Sequence, residues 1–80
     1  MDEILQQVKY ETERQQRKWG QQDHKPFHWM TILMEEVGET AEASLEMQFD
    51  PTWRKKYRKE LIQVAAVAVS ALDCFDRLSE

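Results

Sequence analysis

The sequence holds one cysteine, Cys74, in 80 residues. No internal disulfide can form, which argues against a secreted disulfide scaffold and for a reducing, cytoplasmic setting. Met1 is followed by Asp2 and Glu3 instead of a basic and then an apolar stretch, so no secretory leader is expected. No apolar run reaches membrane-spanning length. The longest, Leu61 to Leu72, is interrupted by Gln63 and Ser70, and no membrane partner is expected. A basic excess is missing too. The net charge is −4, which disfavours binding to a nucleic acid polymer. With two glycines and two prolines the chain has few places to break. It contains no repeat, no low-complexity tract and no internal boundary, so residues 1–80 read as one domain. A domain this short buries a thin core and usually needs a staple or a partner.

What remains reads as helix. Residues 2 to 18 are rich in Gln, Glu, Arg and Lys, with Ile4, Leu5, Val8 and Thr12 at helical spacing. Gly20 is a stop, and Gly20 to His28 reads as a loop. A second helix is expected from about Phe27 to Gln48. Asp50-Pro51 restarts the chain, with Asp as cap and Pro at the first helical position. The third helix then runs from Pro51 nearly to the end. It is apolar around most of its girth from Leu61 to Leu72, which marks a helix surrounded by others. Three helices cannot surround it, but a second copy of the chain can. The expected architecture is therefore all-α, about three helices per chain, completed by oligomerisation into a homodimer or homotetramer.

The acidic residues carry the chemistry. Glu35, Glu36, Glu39, Glu42 and Glu46 fall in one stretch free of Lys and Arg. On a helical wheel the apolar side holds Leu33, Met34, Val37, Ala41 and Ser44. Glu42 and Glu46 lie near Glu35, on the far side, as a solvated acidic face. Glu36 lies about 100° round from Glu35, between Ile32, Ala43 and Met47, and Glu39 is a turn beyond it. Glu60 is centred on an apolar stripe of the third helix, within about 40° of Val64, Val67, Ala71 and Leu78. A buried carboxylate either costs several kcal/mol in desolvation, shifts its pKa, or meets a positive partner, a basic side chain or a metal ion. The basic partner would be Arg14, Arg17 or Lys18 of the first helix. Several converging carboxylates favour a cation instead, and hard oxygen donors suit Mg²⁺ or Mn²⁺ over zinc. Gly38 costs about 1 kcal/mol of helix propensity relative to Ala, and close approach of a neighbouring helix would account for it.

Glu35-Glu36-Val37-Gly38-Glu39 resembles the EExxE motif of the all-α nucleoside triphosphate pyrophosphohydrolases, the group that holds MazG-like proteins, dimeric dUTPases and dCTP pyrophosphatases. Glu60-Leu61-Ile62-Gln63 stands where that family carries ExxD on its next helix, with Gln63 in place of Asp. Arg17-Lys18-Trp19-Gly20 and His28-Trp29 are similar to segments of short phage or mobile-element MazG-like proteins. The resemblance runs from about Glu11 to the end. It implies a MazG-like helical domain that cleaves a (d)NTP to (d)NMP and pyrophosphate, with Mg²⁺ or Mn²⁺ neutralising phosphate charge and activating water. It implies Glu36, Glu39 and Glu60 as metal ligands, with Gln63 offering a neutral oxygen beside them. Glu35 would be a further ligand or the catalytic base that orients water.

Aromatic and basic residues supply the substrate candidates. Trp19 and Trp29 flank the loop before the acidic helix and could stack a nucleobase or anchor the core. Trp53 reads as a packing residue. His24 and His28 lack the companions of a metal set and read as surface histidines, with His24 also a possible substrate contact. Lys55 and Lys56 read as solvated helix face. Arg58 and Lys59, next to Glu60 in sequence, are the phosphate candidates. Cys74 reads as packing. A second function class fits the same residues: a non-catalytic helical dimerisation or regulatory module.

Overall fold

The computed structural model describes residues 1–78, and they form three helices with no strand. Helix α1 spans Asp2–Trp19, α2 spans Pro26–Met47, and α3 spans Arg54–Leu78 after a single 3₁₀ turn at Pro51–Trp53. The protein is all-α, as its composition and periodicity predict. No described helix is long and apolar enough to cross a membrane.

Local chemistry fixes each boundary. Helix α1 carries Asp2 and Glu3 in its first turn and Arg17 and Lys18 in its last, the arrangement that complements the helix dipole. It ends at Gly20, whose φ of 75° suits a residue without Cβ and whose N–H donates to the Gln16 carbonyl. Helix α2 starts on Pro26, where a missing N–H is no loss. The Asp50 carboxylate accepts from the Thr52 N–H at 3.0 Å and its hydroxyl at 2.7 Å. That tight cap holds the first three residues in a 3₁₀ turn, so the α-helix begins at Arg54 instead of Pro51.

Helix α3 is central: α1 and α2 both pack on it and not on each other. The core is thin. Trp29, Val67 and Cys74 form its centre, with Ile32, Leu33 and Ala71 packed around them. Ala43 and Ala66 are fully buried. The loop before α2 is pinned to the end of α3. Arg77 reaches Asp23 at 3.1 Å, and the Cys74 thiol donates to the His24 carbonyl at 3.6 Å.

The face that α2 packs is not the one the wheel selects. Trp29, Ile32, Glu36, Thr40, Ala43 and Met47 are buried or half-buried against α3. Of the expected stripe, Leu33 and Ser44 are half-buried, while Met34, Val37 and Ala41 are exposed. The wheel found a real apolar stripe, but its centre lies about 105° round from the contact with α3. It continues through Met30 and Leu45, and beside it Leu61, Leu72 and Phe75 of α3 are also exposed.

Candidate metal centre

Glu36 faces α3 because its neighbours one turn away on α2, Ile32, Leu33 and Thr40, and Ala43 two turns on, face it too. Thr40 is satisfied within the helix, its hydroxyl donating to the Glu36 carbonyl at 2.8 Å, so it does not cap the Glu36 carboxylate. Glu39, one turn on, stays exposed at the edge of the contact. Glu60 comes from α3 and is only 4% exposed. One carboxylate oxygen from each of the three lies within 4.8 Å of the other two. Sequence reasoning named these three residues, and the fold brings them together.

The electrostatics of the cluster are unfavourable as it stands. Oε2 of Glu36 and Oε2 of Glu60 are buried without a hydrogen-bond partner. Burial raises the pKa of Glu36 above the usual carboxylate range, and the charges of Glu39 and Glu60 push it the same way. The basic partner of Glu60 is not on the first helix. It is Lys56, one turn back on α3, with Nζ 3.3 Å from Oε1. Arg14 is engaged elsewhere, as a two-pronged donor to Glu11 at 2.9 and 2.8 Å. Two orphaned buried oxygens in an all-carboxylate donor set fit a hard divalent cation. Glu36, Glu39 and Glu60 are the residues that could hold it.

Glu11 escaped the sequence reading. It is buried on α1, accepts also from Gln15 at 3.0 Å, and its charge acts on Glu36. Arg14 lowers its pKa first, and Lys59 contributes to the same effect. The signal was present: Ile4, Val8, Glu11 and Gln15 keep helical spacing, so Glu11 continues the packed stripe. Lys56, read as solvated, escaped for a different reason. It is 53% exposed, and only the placement of Glu60 reveals what it touches.

The remaining candidates scatter. Glu35 is exposed on the outer acidic face and is not one of the three clustered carboxylates. Gln63 is half-buried on α3, one turn beyond Glu60. Trp29 is a core residue, 6% exposed, with its indole Nε1 buried and unpartnered. Its ring packs with Val67 and Cys74 at the centre of the core, the anchor role of its two readings, and also lines the cavity beside His24. Trp19 is 63% exposed at the end of α1, with the Lys18 ammonium 4.9 Å over its ring. The His24 ring lies 4.2 Å from that of His28 and 5.0 Å from that of Trp29. It borders an open cavity of about 540 Å³ walled by Trp29, Met30, Leu72 and Phe75. Arg58 donates to Gln7 at 2.7 Å, and Lys59 faces Glu11, so both line the groove between α1 and α3. Gly38 admits no close neighbour within the chain: a Cβ there would meet nothing within 4 Å.

No protein-family model, no curated protein and no solved structure matches this chain.

Proposed function

We propose that the chain is a divalent-metal-dependent nucleoside triphosphate pyrophosphohydrolase of the MazG-like kind, acting in the cytoplasm on a free (d)NTP and not on a nucleic acid polymer. The observation that carries this reading is the meeting of Glu36, Glu39 and Glu60 with two buried carboxylate oxygens left unpartnered. Mg²⁺ or Mn²⁺, when bound there, supplies charge neutralisation for the phosphates and acidifies water. The side chains do the rest. Glu36, Glu39 and Glu60 hold the ion, Gln63 offers a neutral oxygen, and exposed Glu35 is the base that orients water. Lys59 and Arg58 draw phosphate charge toward the α1 side of α3. Trp19 and His24 lie toward the other end of α3, about 20 Å along it from Glu60, too far to contact the base of a nucleotide held at this ion. Trp29 supports that region from within the core.

The test is pyrophosphate release from a panel of canonical and modified dNTPs with Mg²⁺, Mn²⁺ or EDTA, run beside thermal melts in the same buffers. Metal-dependent release and a metal-dependent rise in melting temperature are expected. Identical melts in all three buffers would remove the metal centre, and with it the reading.

The same chain is proposed to work as a homodimer, or as a homotetramer built from dimers. Its accessible surface is 6289 Å². A folded monomer of 9.6 kDa exposes only about 5,100 Å². The excess, on the order of 1,200 Å², exceeds the roughly 800 Å² that each partner buries in a standard interface. The exposed stripes of Met30, Met34, Val37 and Leu45 on α2, and of Leu61, Leu72 and Phe75 on α3, contain no charge. Two such pairs packed face to face make a four-helix bundle that would also wall the open side of the His24 cavity. This uncovered face equally favours the second reading, a helical dimerisation module without catalysis, which the pyrophosphate assay separates from the first. Leu61→Glu should shift the protein toward monomer in sedimentation velocity, and a parent that sediments as a folded monomer at micromolar concentration would overturn the oligomer.

A further inference from the structure

We infer that Lys56 is the resident counter-ion of Glu60, seated on it in the metal-free protein and displaced when a divalent cation arrives. The inference rests on the metal centre proposed above and adds a residue that controls its occupancy. Glu60 is 4% exposed, and an ionised carboxylate buried that deeply calls for a compensating positive charge. Lys56 supplies that charge to Oε1 at 3.3 Å and leaves Oε2 unpartnered. Among the described ion pairs it is the one cation on any of the three clustered carboxylates. Arg14 is committed to Glu11.

Helix stability does not explain the lysine. Lys56 precedes Glu60 by four residues, the less favourable order for such a pair on a helix. It also sits in the first turn of α3 with Arg54 and Lys55, where a cation opposes the helix dipole and no acidic residue offsets it. What the position does provide is reach. From there a flexible ammonium, 53% exposed, touches the buried carboxylate while staying half in water. Such a group leaves easily. A divalent ion offered three converging oxygens outcompetes one ammonium, and the two cations repel if both remain.

The experiment is Lys56→Met, which keeps the apolar stem and removes the charge. Parent and variant are titrated with MnCl₂ by calorimetry and melted in EDTA. Glu60 loses the one counter-charge it has among the described residues, so the variant should melt earlier without metal. The competitor is gone, so Mn²⁺ should bind about fivefold tighter, the factor set by a half-exposed ion pair of about 1 kcal/mol. The two changes have opposite signs, which a general loss of folding cannot produce. A parent that binds Mn²⁺ and a variant with equal or weaker affinity overturn the counter-ion role alone. A parent that binds no Mn²⁺ overturns the metal centre and this inference together.

Discussion

Glu36 and Glu60 meet across the contact between α2 and α3, each with one buried carboxylate oxygen that has no donor while both groups are ionised. Two like charges in a thin core oppose folding unless a cation joins them. That opposition makes the metal centre testable without any substrate.

Glu36→Gln should stabilise the metal-free protein at neutral pH by on the order of 1 kcal/mol, since it removes one member of a repelling buried pair and keeps its shape. The pH dependence has a definite sign. The Glu36 pKa is raised in the fold by burial first and then by neighbouring carboxylates. The folded state therefore holds the proton more tightly than the unfolded state. Its contribution is fully present below the ordinary glutamate range and is lost as pH rises through the raised value. Parent and variant should thus converge in acid and separate toward neutrality. Denaturant melts of both across that range check it, and a difference that does not depend on pH would contradict the placement of Glu36. Glu11 titrates with the opposite sign, its pKa being lowered chiefly by Arg14, but it is common to both proteins and cancels in the difference.

The two tryptophans beside the loop should separate cleanly. Trp29 is the largest group in the core cluster, so Trp29→Ala should cost about 3–5 kcal/mol and leave little folded protein. Trp29→Phe keeps a ring there and should cost less. Trp19→Ala removes an exposed ring and should change stability by no more than about 0.5 kcal/mol. Urea melts of the three variants check both halves.

Gly38→Ala should stabilise the chain by about 0.5–1 kcal/mol, because α2 gains helix propensity and the new methyl meets no neighbour. A destabilised variant would mean that a second copy approaches α2 at this point, a contact the single chain does not contain. Thermal melts at two protein concentrations distinguish the outcomes, since only an intermolecular clash varies with concentration.

Helix count, the loop at Gly20 and the restart at Asp50-Pro51 were legible in the sequence because each follows from local chemistry: a positive-φ glycine, a capping carboxylate, a proline at a first helical position. Glu36 and Glu60 were legible because each sets a charge on the apolar stripe of its helix or at its edge; Glu39, which is exposed, was legible only from its place one turn beyond Glu36. The packed face of α2 was not. That helix carries two apolar-lined faces, and periodicity cannot say which of them meets α3 and which is left uncovered. Lys56 and Glu11 were hidden for a related reason. Each is an ordinary charged residue on its own helix and gains meaning only from what the fold sets beside it.

Gln63 decides how complete the centre is. It lies half-buried on α3, three residues after Glu60 and so on a neighbouring part of the same face. Gln63→Asp exchanges a neutral oxygen donor for a charged one on a side chain one methylene shorter. Without metal it adds a further negative charge near three carboxylates, so the variant should melt earlier than the parent in EDTA. With Mn²⁺ the same charge becomes a ligand, so affinity should rise, by about tenfold for each 1.4 kcal/mol gained. The variant should therefore cross the parent, less stable in EDTA and more stable at saturating Mn²⁺, because an ion bound only to the folded state adds stability in proportion to the logarithm of its affinity. Hydrolysis should be kept or raised. If the two melting curves shift together in both buffers, Gln63 does not face the ion, and the centre consists of Glu36, Glu39 and Glu60 alone.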